Sequence, residues 1–118
     1  MVEDDPDVRS YVTETLRGLN YGVLEAPDGE TALVLIQRPG PIDLLLTDVV
    51  MPGINGRVLG DAAKQHRPEL KILYMTGYSR NAIVHQGRLD PGVSLIQKPF
   101  SESTLASRVH GVLSTGGN

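Results

Sequence analysis

The sequence contains no cysteine. Disulfides, thiolate zinc sites, cysteine nucleophiles and thiol redox chemistry are therefore excluded, and the composition suits a reducing cytoplasm. Basic charge is not in excess either: 11 Lys and Arg against 14 Asp and Glu leave a net charge of −3, and the cations are scattered along the chain. Such a surface supplies no basic field for a phosphate backbone, so no nucleic-acid contact by this domain is expected. No apolar run approaches the roughly 20 residues that span a bilayer, and the start lacks the apolar core of a signal peptide. The expectation is a soluble, cytoplasmic domain without membrane contact. Its 118 residues suit one ordinary domain that buries a core without staples. We place that domain at residues 1–114 and read 115–118, the end of the polar "STGGN", as a flexible tail.

Within this frame, apolar and polar residues alternate in two periods. Val8, Val12, Leu16 and Leu19 recur at spacings of four, four and three, which predicts one buried face of a helix ending near Asn20. "YGVLEA" reads as a short strand, and "PDGETALVLIQ" as a helix capped by Asp28 with Ala32, Leu33 and Ile36 inward. "IDLLLTD" is a nearly continuous apolar run too short for an ordinary helix and suited to a strand covered on both faces. The pattern repeats with "GRVLGDAAKQH" (helix), "LKILYMT" (strand), a weak helical stretch near "RNAIVHQ", "VSLIQ" (strand) and "SESTLASRVHGVL" (helix). Alternating strands and helices imply right-handed crossovers and a doubly wound α/β parallel sheet, whose functional groups collect beyond the C-terminal strand ends.

The residues that close strands are Glu3 and Asp4 after the stub "MV", Asp48, Thr76 and Lys98. Taken singly they have ordinary explanations. Asp48 suits a strand-end turn, Thr76 before Gly77 a turn, Lys98 a solvated surface, and "VEDDP" a helix start. Taken together at one sheet edge they have a chemical logic. Glu3, Asp4 and Asp48 would repel one another without a hard cation among them, and Mg²⁺ suits carboxylate, carbonyl and water oxygens. A carboxylate can also attack a phosphoryl group, provided that metal, hydroxyl and ammonium meet the charge on the phosphoryl oxygens. His66, His85 and His110 show no metal-site spacing.

"VEDDP", "TDVVMPGING", "YMTGY" and "QKPF" resemble, in order and spacing, the signature of a response-regulator receiver domain over nearly the whole chain. The resemblance implies a flavodoxin-like, five-stranded parallel sheet in order 2-1-3-4-5, like that of chemotaxis regulators. It implies that Asp48, in D-x-x-M-P-x-x-x-G with Met51, Pro52 and Gly56, accepts a phosphoryl group from a phosphohistidine of a histidine kinase or histidine phosphotransfer domain. Glu3 and Asp4 would hold Mg²⁺ with Asp48 and the Val50 carbonyl, while Thr76 and Lys98 would bind phosphoryl oxygens. A cis Lys98–Pro99 bond is also implied. The protein would then be a signalling module rather than a turnover enzyme, catalysing its own phosphorylation and dephosphorylation and switching a partner or fused output.

The sequence departs from the family pattern in two places. Only Met1 and Val2 precede Glu3, so the first strand is truncated, and Leu95 stands where many receivers carry an inward-rotating Tyr or Phe. The run "TGYSRNAIVHQGRLDPGVSLIQKPF" is similar to receivers at the C-terminal end of hybrid sensor histidine kinases, which makes a fused kinase core an expected context. Val50 and Tyr78 are expected to exclude water and prolong the acyl phosphate. The segment 79–92 is expected to change its order on phosphorylation. Two other readings compete. "DPDV" at Asp5–Val8 superficially fits the D-x-D-x-V element of haloacid-dehalogenase-type phosphatases, but Pro6 and the helical periodicity put it in a helix. A phosphorylation-independent docking receiver is disfavoured by the intact Asp4, Asp48, Thr76 and Lys98.

Overall fold

The computed structural model describes residues 1–50, 53–76, 94–98 and 100–114. Helix α1 (Pro6–Gly18) begins at Asp5, whose carboxylate accepts from the Asp7 and Val8 amides, with Pro6 in the first turn, where a missing N–H costs nothing. It closes through Asn20, whose φ of 74° is left-handed. The Asn20 amide bonds to Arg17 O (3.0 Å) and the Tyr21 amide to Leu16 O (3.1 Å), the paired bonds of a Schellman ending. Val12 and Leu16 are buried, but Leu19 is 42% exposed. The helix stops one residue before Leu19, and the turn carries that side chain off the inward face.

Helix α2 (Gly29–Gln37) is capped by Asp28, which accepts from the Thr31 amide; this hydrogen bond lowers the Asp28 carboxyl below its ordinary range. Strand β1 (Leu44–Asp48), helix α3 (Gly56–His66), strand β2 (Lys71–Thr76), strand β3 (Ser94–Gln97) and helix α4 (Glu102–Ser114) follow. The three strands pair parallel in the order β1-β2-β3. Beyond β1 the sheet continues through single bridges, Val2 to Thr47 and Val2 to Ala26. The spatial order is thus Ala26, Val2, β1, β2, β3, which matches the expected 2-1-3-4-5 with its first two members reduced to one bridge each. "YGVLEA" accordingly contributes only a bridge at Ala26. Its partner there is Val2.

Both sheet faces are covered. Leu45 joins Val2, Ala26, Ala32, Ile36, Leu59, Ala63 and Leu70 on the side of α2 and α3. Its neighbour Leu46 joins Val12, Leu16, Leu73, Met75, Ile96, Leu105 and Val109 on the side of α1 and α4. Successive strand residues point to opposite faces, so a continuous apolar strand feeds two cores. Fully burying each Leu, Ile or Met contributes about 1.5–3 kcal/mol relative to exposure. The end of α2 is tied to α3 by Arg67, whose guanidinium donates to the carbonyls of Ile36 (3.0 Å), Arg38 (2.7 Å) and Gly40 (2.8 Å). Among the described residues no helix is long and apolar enough to cross a membrane. The expectations for Met51, Pro52, Tyr78, the helix near "RNAIVHQ", His85, the 79–92 switch, the Lys98–Pro99 bond and the 115–118 tail fall outside the described residues.

Candidate functional site

Parallel strands bring their C-terminal ends to one edge, and the acidic residues arrive there by register. The Val2 amide donates to Leu46 O (2.8 Å) and the Asp48 amide to Val2 O (3.1 Å), so Glu3 emerges beside Asp48. Glu3 is 1% exposed and Asp48 7%. One oxygen each from Glu3, Asp4 and Asp48 lies within 4.8 Å of the other two. Asp4 is the exposed member of the group.

Lys98 follows β3 directly, and its amide donates to Thr76 O at 2.7 Å. That bond extends the sheet pairing by one step and aims the side chain across the edge. Its Nζ donates to Glu3 Oε1 at 2.6 Å and to Asp48 Oδ2 at 2.9 Å. The second Glu3 oxygen, Oε2, accepts from the Asp5 amide at 3.1 Å. Burial pushes the Glu3 carboxyl up; the Lys98 and Asp5 hydrogen bonds pull it down, and the charge of Asp48 pushes up again, with a net rise. For Lys98, burial alone would lower the ammonium, but the hydrogen bonds to Glu3 and Asp48 and their charges prevail and raise it.

The other expected site residues stand at different removes. Thr76 is buried at the end of β2 and pairs with Gln97, while Asp48 pairs with Met75; the hydroxyl-bearing residue is one step beyond the partner of Asp48. Val50 lies in the loop after β1 and is 75% exposed. Leu95 is half-buried in β3, opposite Tyr74. Asp5–Val8, the stretch that superficially fits a phosphatase element, forms the cap and first turn of α1.

Gly56 opens α3 against the back of Asp48. Its amide donates to Val49 O at 2.8 Å. A Cβ there would overlap the Asp48 carbonyl oxygen and come within 2.9 Å of Val49 Cα. The glycine therefore allows α3 to start in contact with the backbone of Asp48 and Val49. We expect Gly56→Ala to cost about 1–3 kcal/mol, the range for overpacking against atoms that cannot rotate away. A urea midpoint equal to the parent's would contradict that close approach.

The donor set also bears on the identity of a cation. Three carboxylates without nitrogen or sulfur ligands form a hard, oxygen-only cluster, which fits Mg²⁺. The Lys98 ammonium already sits between two of the carboxylates, so the cluster draws positive charge.

Sequence reasoning missed Arg9. Its Nη1 donates to the Glu3 carbonyl at 2.8 Å and its Nε lies 3.8 Å from Glu25 Oε1. The only linear signal was an Arg six positions after Glu3, on the helix that the acidic pair precedes.

Residues 1–110 match the family described as the response regulator receiver domain. The chain is 32% identical over 114 residues to the sensor kinase CckA of Brucella abortus (strain 2308), spanning 96% of this chain but 12% of that protein. It is 31% identical over 113 residues to the response regulator receiver protein CpdR of the same strain, spanning 96% of this chain and 93% of CpdR. The crystal structure of the receiver domain from the hybrid histidine kinase CckA superposes with a TM-score of 0.79 at 37% identity, covering 95% of this chain and 94% of that one. The relatives thus include a receiver fused to a kinase and one that makes up nearly all of its protein.

Proposed function

The chain belongs to the response regulator receiver domain family, and on that premise we propose that it accepts a phosphoryl group on Asp48 from the phosphohistidine of a histidine kinase or histidine phosphotransfer domain. The observation that carries this reading is the convergence of Asp48 with Glu3, Asp4 and Lys98, contributed by three separate strand ends. An Asp48 carboxylate oxygen attacks phosphorus while the bond to the imidazole nitrogen breaks and its electron pair returns to the ring. Lys98, already within hydrogen-bond reach of the acceptor, neutralises a phosphoryl oxygen, and the Thr76 hydroxyl donates to another. Glu3, Asp4, Asp48 and the Val50 carbonyl would hold Mg²⁺. When bound, the ion offsets the charge of the carboxylates and of the transferring group. Gly56 and the Val2 ladder keep the Asp48 backbone still, so positioning and charge supply the catalysis rather than a separate acid or base. The working unit is residues 1–114, a cytoplasmic signalling module that switches a partner or an output fused to it, with a histidine kinase core as the fused element in a hybrid context.

Incubation with acetyl phosphate and Mg²⁺ tests the reading. Intact mass is expected to rise by one phosphoryl group, borohydride reduction to mark Asp48, and EDTA to suppress uptake. A modification mapped to another residue, or uptake indifferent to EDTA, contradicts it.

A further inference from the structure

The acidic pair sits where ladder pairing runs out. The Glu3 amide donates to Ala26 O at 3.1 Å, and the next regular element begins only at Pro6. Between these points, among the described residues, the chain belongs to no strand or helix, and the orientation of the Glu3–Asp4 peptide decides where the Asp4 carboxylate goes. Arg9 supplies the missing restraint. Its amide takes the first-turn bond to Asp5 O (2.9 Å), while its guanidinium reaches back to the Glu3 carbonyl at 2.8 Å. Glu25, next to Ala26, faces that guanidinium at 3.8 Å and faces Arg17 Nη2 at 3.6 Å. Arg17 in turn donates to Val23 O at 3.2 Å. The segment 23–26 therefore grips Glu3 twice, directly at its amide and through Arg9 at its carbonyl.

Charge alone points the other way. A guanidinium held at the Glu3 carbonyl adds positive charge beside the segment that carries Glu3 and Asp4, which opposes binding of a divalent cation, so its presence there needs a compensating use. We propose that Arg9 is a positioning residue for the acid cluster, orienting the Glu3–Asp4 peptide, and that Glu25 both aims Arg9 and cancels its charge. The proposal rests on the reading of Glu3, Asp4 and Asp48 as cation ligands. Positioning and electrostatics then have opposite signs in the same experiment. Removing a group that merely repels the cation tightens binding; removing one that orients a ligand weakens it, by about 10–100-fold for partners that hold metal ligands in place.

The test is a Mn²⁺ titration followed by the electron paramagnetic resonance of free Mn²⁺, with Mg²⁺ as competitor and a thermal melt on each variant. Arg9→Ala is expected to weaken Mn²⁺ binding about tenfold or more. Arg9→Lys is expected to fall between Ala and the parent, because one ammonium cannot reproduce the two-sided guanidinium fork. It also serves as the folded comparison should Arg9→Ala melt early. Glu25→Gln is expected to weaken binding by less, and raising the salt concentration should narrow that deficit, since it arises from uncancelled charge. Arg9→Ala or Arg9→Lys binding Mn²⁺ as tightly as the parent, or more tightly, overturns the positioning role while leaving the metal reading standing. A parent chain that binds no Mn²⁺ overturns both.

Discussion

Asp48→Asn is expected to take up no phosphoryl group from acetyl phosphate and Mg²⁺ while remaining folded. The amide keeps the shape of the carboxylate, and its oxygen can still accept from Lys98 Nζ, now 2.9 Å from Asp48 Oδ2. It also removes the repulsion between Asp48 and the buried Glu3. The fold therefore has no reason to loosen. Reactivity disappears because a neutral amide oxygen lacks the negative charge that makes the carboxylate a nucleophile. Intact-mass spectra and a thermal melt on the same sample separate the two effects. Undiminished labelling of a folded Asp48→Asn would move the acceptor elsewhere in the acid cluster.

Lys98→Met should slow phosphoryl uptake by about 10²–10³-fold, the usual cost of removing one preorganised donor from a developing anion. Stability should fall as well. Breaking a fully buried ion pair on one side costs about 3–5 kcal/mol. The Lys98 side chain is 21% exposed, and the water that reaches it reduces the expected loss to about 2 kcal/mol. In metal-free buffer this deficit depends on pH. Burial already raises the Glu3 carboxyl and Lys98 is one of the groups pulling it down, so the variant's Glu3 lies higher still. A carboxyl raised in the folded state keeps its stabilising contribution below its ordinary value and loses it as pH rises through the folded one. The gap between variant and parent is accordingly widest at neutral pH and narrows in mildly acidic buffer. At the alkaline end the order of events differs. The raised Lys98 ammonium lends the parent stability below the ordinary Lys value, and that contribution is lost as pH climbs through the folded one; Lys98→Met has no such loss. Urea unfolding with EDTA at neutral and acidic pH measures the difference, and a gap that widens on acidification would refute this account of Glu3.

Local periodicity is a property of consecutive residues, and whatever depended on it was readable before any coordinates. The runs "IDLLLTD", "LKILYMT" and "VSLIQ" hold β1, β2 and β3 because short, nearly continuous apolar segments buried on both faces leave little alternative to a strand. Placing Asp48 and Thr76 at strand ends, and Lys98 just beyond one, needed only those boundaries. Asp28 declared itself as a cap, and "VEDDP" as a helix start, for the same local reason: a short acceptor before a helical pattern.

Other features were decided by packing between distant segments. Nothing in the linear order sets the 2.6 Å contact between Lys98 and Glu3 across 95 positions; it follows from the parallel crossovers that bring the ends of β1 and β3 and the Val2 stub to one edge. Gly56 could be matched to a motif, but only the approach of α3 to the Asp48 carbonyl shows what a Cβ would strike there. The reduction of "YGVLEA" to a bridge between Ala26 and Val2, and the exposure of Leu19 at a left-handed turn, depend on what each segment meets. Arg9 is the fullest example. By itself the sequence determined a strand-end acid cluster with a lysine, because burial patterns and residue chemistry are local. Tertiary structure alone decided that a guanidinium from α1 grips the peptide between Glu3 and Asp4, because a hydrogen bond across a fold depends on where backbones converge.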